Sequence, residues 1–84
     1  MGYVPKTERI PIMTVVQDMQ SLGRAIRDRR KELGYTQSFL ADYAGISTSF
    51  LSELENGKET IQVGKMMYVI SLLGMDICVC RRGE

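Results

Sequence analysis

The chain has 84 residues, 44% of them hydrophobic and 25% charged, with a formal net charge of +1, two Cys and no His. That is one small domain, near the lower end of what a single core holds together. The composition excludes a membrane helix, since no apolar run approaches the ~18 residues a span requires. It also argues against an enzyme: there is no His-based acid or base, no Cys–His pair, no zinc set beyond two cysteines and no glycine-rich phosphate loop after a strand. No cofactor or metal is expected. The start of the chain lacks the basic region and continuous apolar stretch of a signal peptide, so the expected location is the cytoplasm. Charge is unevenly spread: residues 1–34 hold seven Lys or Arg against four acids, and residues 35–84 hold four against six. The basic excess lies in Arg24, Arg27, Arg29, Arg30 and Lys31, within one helical stretch that can serve as a solvated face or a nucleic-acid footprint.

Residues 1–17 form an N-terminal arm in which Pro5 and Pro11 rule out a helix. Tyr3–Arg9 is expected to be flexible, and Ile10–Val16 is apolar enough for a short extended piece. Asp18 can cap a first helix running to about Leu33, with Leu22, Ala25, Ile26 and Leu33 on its inner face. Gly34 ends it. Thr36 caps a second helix over about 37–44, and Ser47 caps a third over about 48–56, which Gly57 terminates. A charged loop, Lys58-Glu59-Thr60, leads into a fourth helix over roughly Gln62–Leu73. Its expected apolar stripe is Val63, Met66, Met67, Ile70 and Leu73, and Gly74 stops it.

The second and third helices carry the most specific signal. Gln37 to Asn56 reads QSFLADYAGISTSFLSELEN. Two short helices crossing steeply need a small residue at closest approach and a residue that tolerates a left-handed turn between them. Ala41 and Gly45 fill those positions, the fifth and ninth counted from Gln37. Leu40, Ala44, Ile46, Leu51 and Leu54 fill the apolar positions that should be buried in the crossing. With this chain's composition, 44% hydrophobic and 8 Gly in 84, a chance match is on the order of one in ten thousand per window for independent residue frequencies. The pattern is that of a helix-turn-helix, and DNA binding is the expected function.

Met75-Asp76-Ile77-Cys78-Val79-Cys80-Arg81 alternates Met, Ile and Val on one side and reads as a strand. A strand needs a partner, and two are available: the Ile10–Val16 piece, or the same strand in a second copy related by a two-fold axis. Cys78 and Cys80 at i and i+2 share one face and cannot comfortably bridge each other. They are expected to be small apolar packing residues in a reducing cytoplasm.

The run LGRAIRDRRKELGYTQSFLADYAGISTSFLSELENGKETIQVGKMMYVISLLGMDI resembles the lambda-repressor-like (Cro- and XRE-type) helix-turn-helix family, over about two-thirds of the chain. The pieces LGRAIRDRRKELGYTQ and SELENGK match most closely. The ending VISLLGMDICVC further resembles HipB-type antitoxins, small dimeric repressors that hold a HipA-type serine/threonine kinase toxin inactive and shut off their own operon. The resemblance implies a mainly α fold: a four-to-five-helix lambda-repressor-like bundle at 18–74, with a short C-terminal β-strand and end at 75–84. It also implies a homodimer on double-stranded, inverted-repeat operator DNA.

Carried over residue by residue, the resemblance assigns base contacts to Thr48, Ser49, Phe50 and Ser52. Hydroxyls can bond to several base edges, and a ring or methyl can touch thymine. The third helix departs from the family in lacking the Arg, Lys, Gln or Asn that usually reads bases, so much of the specificity is expected to come from DNA shape or from residues outside this helix. Phosphate contacts fall to Arg27, Arg30, Gln37, Asn56 and Lys58, with Gln37 offering its side chain and the first amides of its helix. Arg30 is also expected to pair with Glu55, tying the first helix to the third. Met75, Ile77 and Val79 form the dimer strand. Three readings remain: a HipB-type autoregulatory antitoxin, a stand-alone repressor of a phage or metabolic operon, and a helix-turn-helix fold used as a protein-interaction module.

Overall fold

Capping residues and glycine stops set the helix boundaries of this molecule, and the computed structural model, which describes residues 13–83, follows them closely. The helices are α1 (Met19–Glu32), α2 (Gln37–Ala44), α3 (Thr48–Glu55) and α4 (Val63–Leu72). Asp18 begins α1 by accepting the Ser21 amide at 2.8 Å, while the Ser21 hydroxyl takes the Asp18 amide at 3.2 Å. This is a capping box with Ser in place of the usual Glu or Gln. Thr36 and Ser47 cap α2 and α3 in the same way, their hydroxyls accepting the amides of Phe39 and Phe50 at 3.0 Å. Gln62 precedes α4 without a side-chain cap.

The core comprises Ile26 of α1, Leu40 and Ala41 of α2, Leu51 and Leu54 of α3, Met66, Val69 and Ile70 of α4, and Leu73 just beyond it. α3 packs against both α1 and α2, so the third helix is held from two sides. Full burial of Leu51 and Leu54 contributes about 1.5–3 kcal/mol each. Gly45 turns the chain between α2 and α3 at φ 72°, a left-handed conformation that costs a side-chain-bearing residue energy. Past this turn the Ile46 amide bonds back to the Ala41 carbonyl at 3.0 Å.

Several expected positions shift. Ala44 and Ile46 are half-buried, because the turn lifts them to the rim of the crossing. Leu33 is 36% exposed, standing beyond the last turn of α1. On α4 the buried stripe is Met66, Val69, Ile70 and Leu73, while Val63 and Met67 are half-exposed. The fourth helix is thus rotated toward Val69 relative to the sequence expectation.

The expected C-terminal strand is corrected: among the described residues there is no strand, and residues 75–81 run without helix or ladder. A strand exists only where a second strand satisfies its amides and carbonyls, and the described residues of one copy supply none. Residues 13–16 of the alternative partner are likewise without secondary structure, and 10–12 lie outside the described residues, as does most of the arm at 1–17. Cys78 and Cys80 are exposed, so they are not packing residues within the chain.

Candidate nucleic-acid interface

The Arg30–Glu55 pair organises the face on which α3 is presented. Both side chains are buried, at 8% and 2% exposure, and they meet in a two-pronged contact. Arg30 Nε donates to Glu55 Oε2 at 2.7 Å, and Arg30 Nη2 donates to Glu55 Oε1 at 3.0 Å. Such paired, charge-assisted bonds fix orientation as well as adding energy. The Glu55 carboxylate raises the Arg30 pKa above its usual value, chiefly through the hydrogen bond, with desolvation opposing.

Two further bonds close the network. Arg30 Nη1 donates to the Tyr35 carbonyl at 2.8 Å, holding the α1–α2 connection. Gln37 Nε2 donates to Glu55 Oε1 at 3.0 Å, tying the start of α2 to the end of α3. One carboxylate therefore joins three helices. Gln37 is turned inward to Glu55, so its side-chain nitrogen is already engaged; Thr36 caps the Phe39 amide, which leaves the Gln37 and Ser38 backbone amides at this end of α2 without an intrahelical partner.

Arg27, Arg30, Gln37, Glu55 and Asn56 line a single open cleft. Four of the five expected phosphate ligands thus converge, around the acid expected to pair with one of them. Arg27 and Asn56 are exposed there, whereas Arg30 forms the wall. The fifth, Lys58, lies on the surface with its Nζ 3.3 Å from Glu53 Oε1.

Along α3, Thr48 and Ser49 are exposed, and Ser52 is half-buried with Asn56 Nδ2 at 3.4 Å from its hydroxyl. Phe50 differs from the other expected base contacts. It packs partly against the core, and the Lys65 ammonium sits 5.5 Å above its ring. Lys65 brings to α3 the cation that the helix itself lacks. Sequence reasoning missed it because it belongs to the next helix, fifteen positions away, with no local signal.

Gly23 was also missed. A Cβ there would meet the backbone carbonyls of Leu54 and Glu55, the latter at 2.6 Å, so α1 approaches the end of α3 backbone to backbone. The signal was present: a glycine inside a helical pattern usually has a packing reason. A third omission is the aromatic ladder of half-buried Tyr35 and exposed Phe39 and Tyr43, with ring centroids 5.1 Å and 6.1 Å apart.

Residues 26–78 match the model of a family described as helix-turn-helix. The chain belongs to the helix-turn-helix family. Its match spans α1 from Ile26, the whole α2–α3 unit and α4, and so contains every residue of the cleft. Among relatives, the HTH-type transcriptional regulator y4mF of Sinorhizobium fredii is 40% identical over 63 residues, covering 75% of this chain and 83% of the relative. The competence pilus inhibition repressor of Acinetobacter baylyi is 50% identical over 56 residues, covering 67% of this chain and 51% of that repressor. Among solved structures, chains in a HipA–HipB–O2–O3 complex and in a HipB–O4 20mer complex superpose with TM-score 0.75 at 23% identity, over 83% of this chain and 99% of theirs. At that identity the likeness is one of fold.

Proposed function

We propose that this helix-turn-helix transcriptional regulator is a sequence-specific, DNA-binding repressor that acts as a homodimer on an inverted-repeat operator in the cytoplasm. The observation that carries the reading is the cleft of Arg27, Arg30, Gln37, Glu55 and Asn56 at the joint of α1, α2 and α3. It combines exposed cationic and amide donors, on Arg27 and Asn56, with the Gln37 and Ser38 backbone amides that start α2, which is phosphate-binding chemistry. Beside it α3 offers Thr48, Ser49 and Ser52 to base edges, with Phe50 and Lys65 flanking them. Arg30 acts from within, by fixing Glu55 and the approach of α2. Asn56 and Lys58 take the backbone beyond α3.

The finer reading is that the chain is the antitoxin of a HipBA-type operon, repressing its own promoter and neutralising a HipA-type serine/threonine kinase. Two facts support it: the fold match extends over 99% of chains in HipB complexes, and one of those complexes contains HipA. Dimerisation falls to Met75, Ile77 and Val79, which pair with the same segment of a second copy. The test is a gel shift and footprint on the DNA upstream of the chain's own gene. A protected inverted repeat with half-sites about 34–36 Å apart is expected. No protection at low salt on any upstream fragment overturns DNA binding; the stand-alone repressor replaces the antitoxin where no kinase-like reading frame adjoins the gene.

A further inference from the structure

The exposed face of α3 carries hydroxyls and no cation, and an ammonium reaches the helix from the one that follows. Lys65, in the first turn of α4, holds its Nζ 5.5 Å from the centroid of the Phe50 ring. Lys58 is held by Glu53 at 3.3 Å, whereas among the described residues Lys65 pairs with no acid. Its place is also unfavourable for folding. The first turn of α4 contains no acid and Gln62 supplies no side-chain cap, so the positive end of the helix dipole meets an uncompensated cation. A residue that breaks a local rule with no gain to the fold is where function is expected.

Phe50 is partly buried against the core, whereas Thr48 and Ser49 in the same turn of α3 are exposed. Packing fixes the ring, and its electron-rich face attracts the cation. A ring held and covered in this way offers less to a thymine methyl than a free side chain would. Phe50 and Glu55 are five residues apart, which places them about 140° apart around the helix axis. Glu55 marks the side of α3 that the cleft occupies, so Lys65 stands on the other flank of the reading helix. A helix lying in the major groove has a phosphate strand on each side.

We propose that Phe50 seats Lys65 rather than reading bases, and that the seated ammonium binds a phosphate on the strand opposite the one the cleft holds. This role presupposes the DNA contact of the cleft proposed above and adds a second strand to it. Phe50 is then a positioning residue, acting through Lys65. Hydroxyls alone make no bidentate base contact, so the register of α3 depends on phosphate contacts. Contacts on both strands fix the depth and tilt at which the helix enters the groove. Lys65 thereby governs which base edges Thr48, Ser49 and Ser52 reach. A lysine already resting on a ring has less rotamer freedom left to lose when it binds.

The experiment follows the full-length chain by fluorescence anisotropy on labelled duplexes from upstream of its own gene, over a salt series. Lys65→Ala is expected to weaken binding about tenfold and to flatten the salt slope by about 0.9 per contact, or about 1.8 for a dimer. Lys65→Arg, whose guanidinium also stacks on a ring, is expected to restore both. Phe50→Leu keeps an apolar side chain against the core; it is expected to cost about 2–5-fold in the wild type and nothing further in Lys65→Ala. Replacing thymine by deoxyuridine in the duplex removes the C5-methyl groups, and its effect is expected to be equal for wild type and Phe50→Leu. A Phe50→Leu penalty that persists in full in Lys65→Ala, or a deoxyuridine penalty that Phe50→Leu abolishes, overturns the seat. Lys65 is exposed, so its variants test the phosphate role even where Phe50→Leu fails to fold. Wild type that binds no upstream duplex at low salt sinks DNA binding itself; wild type that binds, with Lys65→Ala its equal in affinity and slope, sinks the Lys65 contact alone.

Discussion

Glu55 is an acid placed where DNA would repel it, and its bonds explain why it is tolerated. Each carboxylate oxygen is occupied, by Arg30 Nε on one side and by Arg30 Nη2 and Gln37 Nε2 on the other. Glu55→Gln keeps the shape but strands a buried guanidinium, so it is expected to lower stability by about 3–5 kcal/mol in urea unfolding. Replacing both partners at once, Arg30→Met with Glu55→Leu, is expected to cost far less, because no charge is left unpaired. A double-mutant cycle of Arg30→Met, Glu55→Leu and the two together reads the difference. The exposed residues behave differently. If Lys58 holds a phosphate as proposed, Lys58→Ala is expected to weaken all sequences alike and to flatten the salt slope by about 0.9 per contact, or about 1.8 for a dimer. Ser49→Ala is expected to change preference among operators while leaving that slope intact. The Arg30–Glu55 pair was legible in the sequence through family resemblance. Gln37 was legible only as a polar residue at a helix start, since the third claimant on a buried carboxylate depends on where α2 and α3 meet in space.

At the level of elements, the positioning of α3 depends on how closely α1 can approach it. Gly23→Ala should gain up to about 1 kcal/mol of helix propensity, but its Cβ would run into the carbonyls of Leu54 and Glu55. Backbone cannot move aside as a side chain does, so a net loss of about 1–3 kcal/mol is expected. Gly64→Ala is the control: nothing lies within 4 Å of that position, and a gain of roughly 0.5 kcal/mol is expected in thermal unfolding. The cap of α1 adds a pH dependence. Asp18 has its pKa lowered from 3.8, mainly by the Ser21 backbone hydrogen bond, then by the Ser21 side chain, with Arg24 adding a smaller charge effect. A lowered folded pKa means the contribution is present above the unfolded value and lost as pH falls through the folded one. Below pH ~4 wild type should therefore lose stability more steeply than Asp18→Asn, which caps without titrating. Caps and glycine stops made the helix boundaries readable to within a residue. The rotation of α4 was not, because Met66, Met67, Val69 and Ile70 are all apolar, and only packing against α2 selects Val69 over Met67 for the core.

For the whole molecule, the decisive unknown in the sequence was the partner of Met75–Arg81. Its alternation was legible, yet a ladder needs two strands, and among the described residues of one copy this segment forms none. What the fold leaves exposed is apolar: Ile77 and Val79 in the C-terminal segment, and Met67 and Tyr68, each about half-exposed, on α4. Self-pairing would remove Ile77 and Val79 from water, worth roughly 1.5–3 kcal/mol for each side chain fully covered, and would finish covering Met75, which already packs partly against the core. It would also satisfy the amides beyond Met75, whose own N–H bonds the Ile70 carbonyl at 3.1 Å. Ile77→Asp puts a carboxylate at the centre of that contact, where it would be buried without a partner. In the full-length chain the substitution is expected to leave helical content unchanged and shift sedimentation from dimer to monomer. Operator affinity should then fall about 100-fold or more, because the second half-site is no longer offered at the high effective concentration that linkage to the first provides. Binding to a single half-site should be unaffected. A full-length Ile77→Asp chain that sediments as a tight dimer would move the interface elsewhere, and the exposed α4 residues Met67 and Tyr68 would be the next to substitute.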